Sequence, residues 1–337
     1  MSNASNSSTS RAMPVVEKGT SLWSDAFTRL RKNKLAMLGG IVIVLILFFC
    51  FIGTPTLAAF GFDPNKQDLD NQFARPSRAH ALGTDELGRD MLMRVLKGGQ
   101  ISLLVAMLST LLTVSFGIIY GGIAGYVGAR TESIMMRIVD GLLAMPFLII
   151  VILFRELISE RVENSAKALL VFYEKTFNPS PETLRAVTDD IISFTSLVPL
   201  IIAIAAFGWL TMGRIVRTAA ASLRRQEFVE AARSLGLSHR RILFRHILPN
   251  MLGPVIIYAT LTIPSFILYE ATLSFIGLGI EPPNSSWGIL IRDGANFIET
   301  YPIILAIPAV MFSVTLFAFN FLGDGLRDAL DPKSSKD

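Results

Sequence analysis

Six stretches of the chain are almost free of charge: Leu35 to Phe60, Ile101 to Ala129, Ile138 to Phe154, Ile191 to Gly213, Met251 to Ile280 and Thr300 to Gly323. A helix needs roughly 18 uncharged residues to cross a bilayer, so this pattern predicts a bundle of membrane-spanning helices. The third stretch is the shortest, because its clean apolar part starts only after Asp140 and Arg137 must snorkel to the interface to lengthen it. On length alone five spans stay open.

Lys and Arg decide between five and six. Arg29, Arg31, Lys32 and Lys34 precede the first span, Arg130 and Arg137 fall between the second and third, and eight arginines from Arg214 to Arg245 lie between the fourth and fifth. With six spans these segments share one side, together with Arg327, Lys333 and Lys336, and that side is the cytoplasm. Both termini are then cytoplasmic, and the balanced loops 61–100, 155–190 and 281–299 are extracytoplasmic. Residues 1–20, rich in Ser and Asn and without hydrophobic period, are expected to be a disordered leader. Within 21–60, Ser21 to Lys34 reads either as a surface-lying amphipathic helix or as a plain basic flank of the first span. Gly117, Gly121, Gly122, Gly125 and Gly128 in the second span favour close helix packing, and Pro254, Pro264, Pro302 and Pro308 mark bends.

Composition agrees: 51% of the 337 residues are hydrophobic and 17% charged, against about a quarter charged in soluble domains. The single cysteine, Cys50, excludes an internal disulfide, and His80, His239 and His246 lack metal-ligand spacing. The net charge of +4 sits beside the spans, so topology accounts for it and nucleic acid is not a partner. A phosphate-binding loop ends in Gly-Lys-Ser/Thr, and the chain contains no Gly-Lys dipeptide. Nor does it contain His-Glu-x-x-His or Gly-x-Ser-x-Gly. The expectation is a non-enzymatic membrane protein with no cofactor of its own.

The connection 214–250 is too long and too regularly patterned for a simple turn. Phe228, Ala231, Ala232 and Leu235 recur at helical spacing, with Glu227, Glu230 and Arg233 on other faces. Gly236 is placed to cap that helix, and Ser238 to start another that runs to Pro249. Two short helices meeting at a glycine make a rigid handle for a soluble partner.

This segment resembles the cytoplasmic EAA loop of ABC importer permeases, here Glu230-Ala231-Ala232, Gly236 and Leu248-Pro249, with His246 where an aliphatic residue is usual. Other segments resemble the second, C-type permease subunit of dipeptide, oligopeptide and nickel importers. They are His80 to Asp90, Gly98 to Leu103 (with Gln100 where Arg is usual), Arg137 to Asp140 with Met145-Pro146, Ala271 to Ile280 with Pro282-Pro283 and Ser286-Trp287-Gly288, and Asn320 to Pro332. The resemblance implies an all-α, polytopic protein of type I ABC importer permease architecture with six transmembrane helices and a core domain over 101–325, ending in a cytoplasmic tail, 326–337. It implies a prokaryotic plasma (inner) membrane location, a second similar permease subunit, two ATPase subunits that bind ATP and Mg, an extracytoplasmic substrate-binding protein, and docking of the EAA loop into an ATPase. Peptide is the implied cargo; nickel or another small solute is the alternative.

Glu270 is the one acid well inside a long apolar run, so it either lines a path or pins a helix pair. The stretch 155–190 is longer than the family's usual link and reads as a solvated outer insertion or as extra contact surface for a receptor. An ion-coupled transporter would need inverted repeats and several intramembrane ionisable groups, which are not evident. A membrane scaffold without transport is the third reading.

Overall fold

A computed structural model of the chain describes residues 22–280 and 284–330. The expected leader, the end of the tail and the Pro282-Pro283 pair lie outside the described residues. Within them the fold is all-α, and the lone bridge pairs Thr84 with Asp90. The helices are α1 (Leu22–Lys32), α2 (Lys34–Phe48), α3 (Thr54–Ala59), α4 (Met91–Val127), α5 (Ala129–Leu143), α6 (Phe147–Phe177), α7 (Pro181–Thr195), α8 (Val198–Leu223), α9 (Glu227–Ser234), α10 (His239–Ile242), α11 (Leu252–Phe275), α12 (Trp287–Ala295) and α13 (Pro302–Leu330).

Five helical stretches are long and apolar enough to cross a membrane: 34–59, 91–127, 181–223, 239–275 and 302–330. The sixth apolar segment is shared by α5 and α6, which meet at 92°. Counted as one broken span, they bring the total to six. Pro146 explains the break, since it has no N–H to donate and pushes the preceding residue out of the helical region. Asp140 pairs with Arg214 of α8, and Glu132 pairs with Arg217 at 3.2 Å. Two ion pairs thus clip α5 to α8.

Residues 155–190 are mostly helical. The helix that starts at Phe147 runs through to Phe177, Asn178 ends it with φ at +43°, and α7 starts at the Ser180 cap. Arg155 is buried and donates from Nη2 to the Gly279 carbonyl at 3.0 Å, which ties α6 to the end of α11.

The most extensive helix pair is α4 with α8, and the glycine stripe explains it. A Cβ on Gly117 would strike Met212, one on Gly121 the Gly213 carbonyl, and one on Gly125 the Arg217 carbonyl. Small residues at i, i+4 and i+8 let two backbones approach in lipid, where packing rather than water exclusion drives association. On the other flank α2 packs along α13, and Gly39 brings the chains so close that a Cβ would lie 2.6 Å from the Ala318 carbonyl.

The segment His80 to Asp90 folds as a plug over the start of α4. Asp90 caps the helix by accepting from the Met93 amide at 2.9 Å, and its other oxygen meets His80 Nδ1 at 2.9 Å. Buried Asp85 accepts from Arg89 Nε at 2.7 Å and from buried Arg94 Nη1 at 2.5 Å. Burial works against the Asp85 carboxylate, but Arg94, the Arg89 amide and guanidinium and the Leu87 amide outweigh it and hold its pKa below the usual range.

Candidate functional site

The connection from α8 to α11 is built from local rules. Gln226 leaves the helical region with ψ at 146°, and α9 follows with Glu227 and Glu230 in its first turn and Arg233 in its last, as the helix macrodipole favours. Gly236 sits at φ +74° beyond its end. The Gly236 amide donates to Arg233 O at 2.9 Å and the Leu237 amide to Ala232 O at 3.2 Å, the paired bonds of a Schellman cap. Ser238 Oγ then accepts from the Arg241 amide at 3.4 Å to open α10. A π-turn over Leu243–Ile247 and a 3₁₀ turn over Pro249–Met251 carry the chain into α11, so the second limb runs on into a membrane-crossing helix.

The side chains of α9 divide differently from the expected single apolar face. Val229 and Ala232 are buried, in a cluster with Tyr126, Met212, Val216, Ile242, Leu243 and Ile247. Phe228, Ala231 and Leu235 face outward, and Leu235 is 81% exposed. Glu230 and Gly236 are exposed, Leu248 is half-buried and Pro249 exposed. The six residues singled out by sequence therefore share one connection, but only Ala232 and Leu248 face inward. Gly122 makes room for Leu248, since a Cβ there would lie 3.1 Å from Leu248 Cδ2.

Sequence reasoning missed the brace beneath this connection. The Tyr126 hydroxyl, at the end of α4, lies 2.8 Å from His239 Nδ1, and the Arg233 guanidinium sits 5.4 Å from the centre of the Tyr126 ring. One aromatic residue thereby touches both limbs. A tyrosine closing a glycine-rich span was the available signal, but its partners lie more than a hundred residues away in the chain.

Glu270 stands apart from this connection and is wholly buried. Ser102 Oγ of α4 donates to Glu270 Oε2 at 2.6 Å and Ser274 Oγ to Oε1 at 2.7 Å, while the Trp287 amide donates to Ser102 Oγ at 3.2 Å. The Trp287 indole is fully buried and donates to Val95 O at 3.1 Å. Gly99 admits that ring, because a Cβ would lie 2.6 Å from it. The segments Gly98 to Leu103, Glu270 to Ser274 and Ser286 to Gly288 thus meet in one polar node joining α4, α11 and α12.

A bundle of helices long and apolar enough to cross a membrane, with a short helix pair displayed at one end, has the build of an integral-membrane transport component. Residues 117–336 match the family model for the binding-protein-dependent transport system inner membrane component, and residues 21–76 match that for the N-terminal TM domain of oligopeptide transport permease C. The chain belongs to this family of ABC importer permeases. It is 40% identical to the oligopeptide transport system permease protein OppC of Haemophilus influenzae, over 94% of this chain and 90% of the relative. It is 42% identical to OppC of Escherichia coli strain K12, over 94% and 93%. With the dipeptide transport system permease protein DppC of Bacillus subtilis it shares 38% identity over 95% and 88%. Among solved structures, an inward-facing MetNI methionine ABC transporter aligns with 72% of this chain and 98% of that chain, at 16% identity and a TM-score of 0.47.

Proposed function

We propose that this chain is the C-type membrane-spanning subunit of an ATP-driven peptide importer in a prokaryotic plasma membrane. It pairs with a second permease subunit and two ATPase subunits, which bind ATP and Mg, and receives cargo from an extracytoplasmic binding protein. The observation that carries the coupling role is the outward apolar stripe Phe228, Ala231 and Leu235 on a helix held rigidly from behind. A large apolar residue that is 81% exposed, flanked by Glu230 and Arg233, is the kind of surface a partner groove covers. Peptide as cargo is supported by the oligopeptide and dipeptide permeases among the relatives.

The basic residues around 214–245 favour the cytoplasmic side for this connection, and with it cytoplasmic termini. When ATP binding closes the ATPase pair, α9 is carried along, Tyr126 passes the displacement to α4, and the second limb passes it to α11. In this reading Glu270 pins α4, α11 and α12 so that they move as a unit, and its two serine contacts support that role over a place on the path.

The test is the pair Leu235→Asp and Glu230→Arg in the assembled transporter. Both variants should reach the membrane in normal amount, lose co-purifying ATPase and lose peptide uptake. Wild-type uptake by either would remove the docking role.

A further inference from the structure

A half-open cavity of about 440 Å³ lies between α8, α11 and the α5–α6 junction, apart from the α8–α11 connection and on the other side of α11 residue Tyr269 from the Glu270 serines. One wall is a single face of α11: Tyr258, Thr262, Ser265 and Tyr269 stand at i, i+4, i+7 and i+11 and all line it. Eleven residues of helix rise about 16 Å, so this hydroxyl stripe follows the cavity across about half of the roughly 30 Å hydrocarbon layer. Thr211 of α8 faces it from across the cavity. Aromatic rings complete the lining: Phe147 packs on Tyr269 at 4.5 Å between centroids, and Gly208 leaves the space into which Phe266 fits.

Two features mark this as a surface for a solute rather than for packing. Thr262 donates to its own helix, to Tyr258 O at 2.7 Å, but the hydroxyls of Thr211, Tyr258, Ser265 and Tyr269 make no hydrogen bond to any described residue. Polar groups with nothing to bond are costly in a membrane interior and are kept there where they line a wet or solute-filled space. In addition, no charged side chain among the described residues lines the cavity, and Glu270, next in the chain to Tyr269, is turned away into its serines.

Building on the peptide-importer reading above, we propose that this cavity is the chain's wall of the translocation path, holding a passing peptide by its backbone amides without selecting on side-chain charge. Hydroxyls both donate and accept, which suits the alternating N–H and C=O groups present in every peptide, and aromatic faces accept side chains of varied shape. A wall without fixed charge neither attracts nor rejects Lys or Glu side chains, whereas one charge at low dielectric would discriminate strongly.

The test uses the complete transporter in proteoliposomes with its binding protein and three tripeptides, Ala-Ala-Ala, Ala-Lys-Ala and Ala-Glu-Ala. The triple variant Thr211→Val, Tyr258→Phe, Tyr269→Phe removes hydroxyls while keeping volume. It should lower uptake of all three by about tenfold, the effect of losing one to two hydrogen bonds, with binding-protein-stimulated ATP hydrolysis retained. Thr262→Asp should raise the ratio of Ala-Lys-Ala to Ala-Glu-Ala uptake at least about threefold over wild type. Wild-type uptake by the triple variant, or an unchanged ratio in Thr262→Asp, overturns the proposal. Should Thr262→Asp not assemble, Ser265→Cys decides: reaction with a small water-soluble thiol reagent, slowed by Ala-Ala-Ala, supports the path, and unprotected or absent reaction overturns it. A wild-type assembly that holds no ATPase would instead overturn the importer reading itself.

Discussion

The cap at Gly236 isolates a backbone effect from packing. The residue sits at φ +74°, and a Cβ placed on it would meet nothing within 4 Å, so Gly236→Ala adds no clash and removes no contact. What remains is the cost of holding an L-residue in the left-handed region, about 1–2 kcal/mol. That shifts the balance between the closed cap and a frayed end of α9 by about 5–30-fold. Asn, whose short amide tolerates this region, should cost less than Ala, and β-branched Val more. Gly236→Pro should cost most, since proline cannot reach positive φ and also deletes the amide that bonds Arg233 O. Hydrogen exchange followed by mass spectrometry on the purified complex reads the effect directly: the Leu237 amide, bonded to Ala232 O, should exchange about 5–30-fold faster in Gly236→Ala than in the parent. Peptide uptake should fall in the order Asn, Ala, Val, Pro. Exchange at the parent rate in Gly236→Ala, or Val milder than Ala, would refute the argument that the cap is what stiffens the connection.

Glu270→Ala should lower thermal stability by about 2–4 kcal/mol, because it leaves the Ser102 and Ser274 hydroxyls without an acceptor and opens a cavity. Adding Ser102→Ala should cost less than additivity predicts, as a double-mutant cycle in a fluorescence melt will read. Asp85→Asn strands buried Arg94 and should destabilise the plug over α4 by about 3–5 kcal/mol, seen as faster proteolysis in the 61–90 loop. Because the folded Asp85 pKa lies below its unfolded value, the stabilisation is fully present above pH about 4 and is lost as pH falls through the lower folded value. Glu86 acts in the opposite sense: burial and then Asp293 and Asp85 raise its pKa, so Glu86→Gln should tighten the same loop at pH 7. Gly121→Leu should prevent α4 from seating on α8 and abolish assembly, whereas Gly141→Ala, which meets nothing within 4 Å, should be neutral or stabilise by about 0.5–1 kcal/mol; the yield of complex by size exclusion separates them.

The resemblance in short motifs ran ahead of any physical account of them, and the structure supplies that account unevenly. Gly99 and Trp287 sit in separate motifs and Glu270 just before Ala271, and they meet in one node, while His80, Asp85 and Asp90 share one motif and close the same plug. The connection at Gly236 was legible almost to the residue, since a helix, its cap and the next start signal are decided within a few neighbours. In the stretch 155–190 the charges suggested a solvated insertion and did not reveal that Arg155 is buried, because its partner is a carbonyl 124 residues away.

Sequence by itself therefore determined the apolar spans, their expected orientation, the helix end at Gly236, and the family. These depend on hydropathy and backbone preference, which are properties of short windows. Tertiary structure alone decided which face of α9 is displayed, that Tyr126 braces both limbs, that Glu270 is closed off, and that the hydroxyls of α11 line a cavity. Each of those depends on what stands opposite a side chain, as Ser102 stands opposite Glu270 across 168 residues, and a helix pattern does not record its neighbour.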